Sequence, residues 1–187
     1  MISDKYKCIY VHIIRSGGRS ISRALPADVR KRYGLGPHAR SSMFVARLGS
    51  RVWKSYFTFS FVRNPWDKMV SQYAYNHDRF VPYGTTFKDY LRMFEAGEKI
   101  SSLNPVQSPW ICNRRGKLLV DFVGRFESIR SDYRKVCLKI GFRPKNLRHV
   151  GKSKHRHYTE YYDDETISII EKCFERDIKM FGYSYGG

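Results

Sequence analysis

Acidic residues are scarce in this chain. Only 17 Asp and Glu stand against 35 Lys and Arg, a net charge of +18 over 187 residues. Such a surplus draws polyanions and speeds their encounter. Nucleic acid, anionic lipid, a phosphorylated nucleotide and an acidic polysaccharide all satisfy it, and so does mere solubility with nonspecific stickiness. Cysteine is sparse too, at positions 8, 112, 137 and 173, with no CxxC pair and no His pair at zinc spacing. That argues against a metal site or a disulfide framework. Cys8, Cys137 and Cys173 fall on apolar positions of predicted elements and read as buried free thiols. No apolar run approaches the ~18 residues a membrane span requires. The N-terminal run MISDKYKCIYVHII is short, contains His12 and lacks a small-residue cleavage site, so it reads as a buried strand rather than a signal peptide. A cytoplasmic protein is the expectation. Repeats and low-complexity tracts are absent, and 42% hydrophobic and 16% aromatic content can fill a core, which sets disorder aside.

The length suits one domain spanning 1–187. Residues 7–14 predict a strand that a glycine pair stops, and Ile21 to Leu25 a short helix ended by Pro26. The segment 27–54 is basic and poorly periodic, a loop with a short helix around 40–49. Residues 55–62 alternate as a second strand. Asn64 and Pro65 suit the cap and first position of a helix with Met69, Val70 and Tyr73 on its apolar stripe. Thr86 caps another helix, with Phe87, Leu91 and Phe94 on one face and Gly97 as its stop. Pro105 and Pro109 break a loop over 99–117. Residues 118–123 predict a third strand. Ile129, Tyr133, Val136, Cys137 and Ile140 repeat at helical spacing, as do Ile167, Ile170, Phe174 and Ile178. Strands alternating with helices predict an α/β fold: three layers, with a central, mainly parallel sheet flanked by helices.

Two strand–turn–helix units carry the chemistry. The first is Arg15-Ser16-Gly17-Gly18-Arg19-Ser20. A glycine-rich turn between strand and helix aims backbone N–H groups at an anion, the arginines add charge and the serines add hydroxyls. An ordinary tight turn is the plain alternative. A nucleoside-triphosphate loop it is not: the G-x-x-x-x-G-K-[ST] pattern is missing. Gly151-Lys152-Ser153 imitates its end, but Asn146 stands where the first glycine belongs. The second unit is Phe61-Val62-Arg63-Asn64-Pro65-Trp66-Asp67-Lys68-Met69-Val70-Ser71. Arg63 ends a buried strand, where a charge needs a partner. A bound anion could take Arg63 and the Ser71 hydroxyl together; pairing of Arg63 with Asp67 would be the structural alternative.

Together these units resemble the sulfotransferases that use 3′-phosphoadenosine 5′-phosphosulfate (PAPS), in the branch that contains carbohydrate sulfotransferases. Ile14 to Ser20 align with the family's 5′-phosphosulfate loop, Pro-Lys-Thr-Gly-Gly-Thr-Ser. Arg63, Asn64, Pro65, Lys68 and Ser71 fit its 3′-phosphate motif, Arg-Asn-Pro-x-x-Arg-x-x-Ser, with Lys for the second Arg. Val123 to Glu127, including Arg125, match a strand end. Asn104 to Gln107 echo its Pro-Gln loop more weakly, and Lys152 to Tyr162 and Asp177 to Tyr183 match its C-terminal segment. The resemblance implies a P-loop-like sulfotransferase fold, PAPS as donor with 3′-phosphoadenosine 5′-phosphate (PAP) as product, and no metal. It implies nucleotide contacts from Arg15, Ser16, Gly17, Gly18, Arg19, Ser20, Arg63, Ser71, Arg125, Lys152, Ser153 and Lys154.

In the family the loop Lys stabilises charge on the leaving phosphate. Arg15 can supply that charge but no proton near neutral pH. His38, in the basic loop between the motifs, is the expected general base, and a solvated loop histidine is its alternative. His12 reads as a core residue, and His155 and His157 as decoration of a basic loop. Trp66 and Phe126 read as core aromatics rather than adenine stackers. The implied acceptor is a carbohydrate or other hydroxyl compound, an acidic one fitting the charge. Two rival readings stand beside this. Arg15 and Arg19 would also suit an inactive PAPS-binding relative. The charge would suit a nucleic-acid module, although no motif of the usual nucleic-acid readers is present.

Overall fold

The computed structural model describes residues 1–25, 34–76, 80–148, 150–151, 153 and 155–187. In chain order the elements are β1 (Ile2–Ser3), β2 (Cys8–Val11), α1 (Gly18–Ala24), α2 (Ser41–Leu48), α3 (Ser50–Lys54), β3 (Phe57–Val62), α4 (Pro65–Asn76), α5 (Phe87–Glu95), α6 (Ser108–Ile111), β4 (Phe122–Arg125), α7 (Ile129–Lys139), α8 (Asp164–Cys173) and α9 (Glu175–Phe181), with a 3-10 turn at Tyr158–Tyr161. They group into two compact units, one of residues 1–63 and 107–151, the other of 64–106 and 152–187.

The first unit holds the sheet. Its order is β1-β2-β3-β4, with β1 antiparallel to β2 and the other pairs parallel. Alternation along the strands sends Cys8, Tyr10, Phe59 and Phe61 to one face, where Ile21 and Ala24 of α1 and Tyr133, Val136 and Cys137 of α7 cover them. Burying each of these aromatic side chains contributes about 1.5–3 kcal/mol. The other face carries Ile9, Val11, Thr58, Ser60 and Val62, all buried as well. A parallel sheet closed on both faces explains why β2 reads as an unbroken apolar run, while the small polar Thr58 and Ser60 of the alternating β3 are buried as well.

The third predicted strand is displaced. Asp121 turns its carboxylate onto the Thr58 N–H (2.8 Å) and hydroxyl (2.7 Å), while Leu118 bridges to Cys112. The ladder therefore starts at Phe122 and runs through Gly124. A Cβ on Gly124 would lie 2.5 Å from the Phe61 ring, so that glycine is a strand interior rather than a stop. Pro109 also differs from expectation. It opens α6 instead of breaking a loop, as its fixed φ and missing N–H allow in a first turn. Cys8, Cys112 and Cys137 are buried free thiols and Cys173 is a half-buried one.

The second unit is helical. Asn64 caps α4 through Oδ1, which accepts from the Trp66 N–H at 3.0 Å, and Thr86 caps α5 by accepting from the Asp89 N–H. Exposed ion pairs join α5 to α8: Lys88 to Asp163 and Glu165, Arg92 to Glu165, and Lys172 to Glu95. The C-terminal apolar stripe is cut at Phe174, which is fully buried and both ends α8 and caps α9. No helix among the described residues is long and apolar enough to cross a membrane.

Candidate functional site

In the first unit the loop after β2 is shaped by its backbone. Arg15 has φ 59° and Gly17 φ 78°, both left-handed. For an arginine this region is sparsely populated and costs of order 1–3 kcal/mol, strain that collects at ligand clamps. Gly17 caps α1, which therefore starts at Gly18, three residues before the predicted Ile21. A Cβ on Gly18 would fall 1.8 Å from the His12 imidazole. Gly18→Ala should therefore cost about 1–3 kcal/mol through overpacking. Urea denaturation would register that loss, and His12→Ala in the same chain should recover most of it.

Arg63 stands one residue past β3. Its guanidinium lies 4.2 Å over the Phe126 ring, and Nη1 donates to the Arg15 carbonyl at 3.1 Å. The residue is 6% exposed. Its backbone N–H donates to Gln107 Oε1 at 2.8 Å, and its carbonyl accepts from Gln107 Nε2 at 2.8 Å. Ser16, fully buried, has its hydroxyl 3.4 Å from both that Oε1 and the Ile14 carbonyl. In the sequence Gln107 carries only a weak family echo. A fully buried amide three residues past an Asn is no signal by itself; what it holds emerges only in the folded chain.

The remaining loop residues turn toward Val150 and Gly151. Ser20 Oγ accepts from the Val150 N–H (3.1 Å), and Arg19 Nη2 donates to the Gly151 carbonyl (3.5 Å). A cleft of roughly 320 Å³ opens here, lined by Ser20, Arg23, Ala24, Lys145, Asn146, Arg148 and Val150. Three cations and no carboxylate line it, which suits an anion. Arg125 ends β4 exposed, with its backbone N–H held by Asp132 at 2.9 Å.

His38 is half-buried, its Nδ1 3.4 Å from the His12 carbonyl and its ring 4.6 Å from the His12 ring. Trp110 stands edge-on to it at 6.3 Å. Burial lowers the His38 pKa below the ordinary imidazole value, against the opposing pull of the His12 carbonyl. The imidazole is then neutral near pH 7. With its proton on Nδ1, its lone pair sits on Nε2.

In the second unit, Ser71 and Ser153 meet, Oγ to Oγ at 3.0 Å, although 82 positions apart. Ser71 is fully buried. Asn64 Nδ2 donates to the carbonyls of Ser184 (3.1 Å) and Gly187 (3.2 Å), so the start of α4 holds the C-terminal segment. Lys68, aligned with the motif's second Arg, is also buried. Trp66 is 1% exposed and packs on Tyr185 as a core residue. His157 caps the 3-10 turn and His155 binds the Arg156 carbonyl. Lys152 and Lys154 lie outside the described residues.

The family's sequence model, that of the sulfotransferases, matches residues 1–184. The chain belongs to the sulfotransferase family. Within the chain, 98 residues are 31% identical to an uncharacterized protein of Archaeoglobus fulgidus, covering 51% of this chain and 76% of that one. Family membership supports sulfuryl transfer as the general chemistry. Among the described residues, the lining of the cleft beside Ser20 in this sulfotransferase holds no carboxylate.

Proposed function

We propose that this sulfotransferase transfers a sulfuryl group from PAPS to a hydroxyl of a carbohydrate, with His38 as general base. The observation that carries the reading is the link between the two motifs. The Arg63 guanidinium is bound to the carbonyl of Arg15 in the glycine loop, and both flank residues expected to hold the donor. The donor fits the chemistry of the residues present: two adjacent glycines, a buried serine, and arginines at 15, 19 and 63. The 5′-phosphosulfate is assigned to Arg15, Ser16, Gly17, Gly18, Arg19 and Ser20. The 3′-phosphate is assigned to Arg63, Ser71, Ser153, Lys152 and Lys154, and Arg125 is a further nucleotide contact. The Ser71–Ser153 pair supports grouping the 3′ motif with the C-terminal segment. The basic cleft beside Ser20 offers room for the nucleoside.

The acceptor oxygen attacks sulfur as the bond from sulfur to the 5′-phosphate oxygen breaks. PAP leaves, and the acceptor's proton passes to His38 Nε2 and then to water. Positioning and charge stabilisation supply most of the acceleration, as in phosphoryl transfer. Arg15 and Arg19 offset charge growing on the leaving phosphate. An acidic glycan fits the acceptor side. Positions 29–66 and 99–120 contain no Asp or Glu. Arg40 lies 5.8 Å over Trp110, which borders His38. Arg47, Arg51, Arg114, Arg115 and Lys117 are exposed on neighbouring parts of the same unit.

Calorimetric titration with PAP, against AMP at two salt concentrations, tests the donor. The expected result is a preference for PAP over AMP that survives raised salt. Equal affinity for both would defeat the donor assignment. Affinity that collapses steeply with salt and ignores the 3′-phosphate would instead favour the nucleic-acid reading. Tight PAP binding with no turnover on any glycan would favour an inactive relative.

A further inference from the structure

We infer that Gln107 is a positioning residue for donor binding: its buried amide sets the Arg63 backbone and ties it to the glycine loop. This deepens the donor reading above and rests on it. Arg63 is the first residue beyond β3, where the ladder of that strand has ended. The Gln107 amide takes the place of a neighbouring peptide there, accepting from the Arg63 N–H and donating to its carbonyl, both at 2.8 Å. Two well-formed bonds at one residue fix where its Cα and side chain begin.

The third contact gives this clamp its reach. The Ser16 hydroxyl, shared with the Ile14 carbonyl, lies 3.4 Å from the Oε1 that Arg63 already uses, and the Arg63 guanidinium returns to the carbonyl of Arg15, the neighbour of Ser16. Gln107, Arg63, Arg15 and Ser16 thus form a closed ring. It joins a residue assigned to the 3′-phosphate to two assigned to the 5′-phosphosulfate.

Gln107 is itself held firmly. It caps α6, whose Trp110 and Ile111 are 1% and 0% exposed, and Gln107 is wholly buried. A positioning group works only if its own rotamer is locked in this way. The side chain also has to be an amide of this length. A carboxylate would set an oxygen against the Arg63 carbonyl, and asparagine would fall one methylene short.

The test is a double-mutant cycle read by calorimetry with PAP and AMP. It uses Gln107→Met, which keeps volume and removes all three hydrogen bonds, together with Arg63→Ala and the pair combined. Gln107→Met is expected to lower PAP affinity about tenfold and to shrink the preference over AMP. In the Arg63→Ala background the same change should add less than about twofold, because Gln107 acts through Arg63. Additive losses, or unchanged PAP affinity in a folded Gln107→Met variant, would overturn the inference. Should that variant fail to fold by circular dichroism, Gln107→Asn, which keeps the amide one methylene short, is carried through the same cycle with the same criteria. A wild-type protein that prefers PAP while its Gln107 variants bind normally sinks this inference alone. A wild-type protein indifferent to the 3′-phosphate sinks the donor reading and this inference with it.

Discussion

Arg63→Ala should weaken PAP binding by about a hundredfold or more, with a much smaller loss for AMP. Truncating one partner of a desolvated, hydrogen-bonded charge pair costs about 2–5 kcal/mol, and about 1.4 kcal/mol is tenfold. Arg63 meets that description because it is 6% exposed and held on two sides. Phe126 supports the plane of the guanidinium, and the Arg15 carbonyl fixes its rotation. Arg63→Lys separates charge from shape. A lysine keeps the positive charge but loses the planar stack and the forked donors. It should recover only part of the affinity. Isothermal titration of the three proteins with PAP and AMP decides the matter. Equal losses for the two nucleotides would remove the 3′-phosphate from Arg63. An effect below about threefold on PAP would remove Arg63 from the donor site altogether.

Much of this arrangement could be read in advance, and the parts that could not share a cause. β2 was legible because a buried parallel strand writes itself as a dense apolar run, and β3 because its aromatic and small polar residues alternate. The cap of α4 was legible because Asn64-Pro65 is local chemistry, as was Thr86 ahead of α5. The glycine loop was legible as a turn. What the sequence withheld were contacts between distant residues. The Asp121 side chain displaced the start of β4 by occupying Thr58, 63 positions away. The Phe61 ring made Gly124 a strand residue. Pro109 was read as a breaker because its role in a first turn depends on where α6 starts, and that is set by packing of Trp110 and Ile111.

The candidate site follows the same division. Arg63, Ser71 and the 14–20 loop were found from motif and residue chemistry. Ser153 was named from the C-terminal match, and its meeting with Ser71 could not have been computed from spacing. Gln107 stood out only as part of a weak family echo, with no role attached, because a glutamine in a proline-containing loop is unremarkable until its partners are known. His12 was expected in the core. It does pack on Gly18, and it also stands ring to ring with His38. A lone histidine on a strand cannot announce that neighbour, which arrives from a loop 26 residues later.

His38→Ala should leave PAP affinity within about twofold of wild type and lower kcat by about 10²–10⁴, the range that a positioned general base supplies. The pH dependence gives a second readout. Burial lowers the His38 pKa, so the base form predominates at neutral pH. Wild-type kcat/KM should rise with pH to a plateau reached below the ordinary imidazole range, and the alanine variant should lose that acid limb. The same shift carries a stability consequence. The folded chain binds the His38 proton less readily than the unfolded chain does. The stability associated with neutral His38 is therefore present above the ordinary imidazole pKa and is lost as pH falls through the folded value. The alanine variant should show a shallower loss of thermal midpoint across that window. If His38→Ala abolishes PAP binding instead, the residue belongs to the donor site. If kcat and its acid limb survive the substitution, the base is another group, and His12, 4.6 Å away ring to ring, is the first to replace.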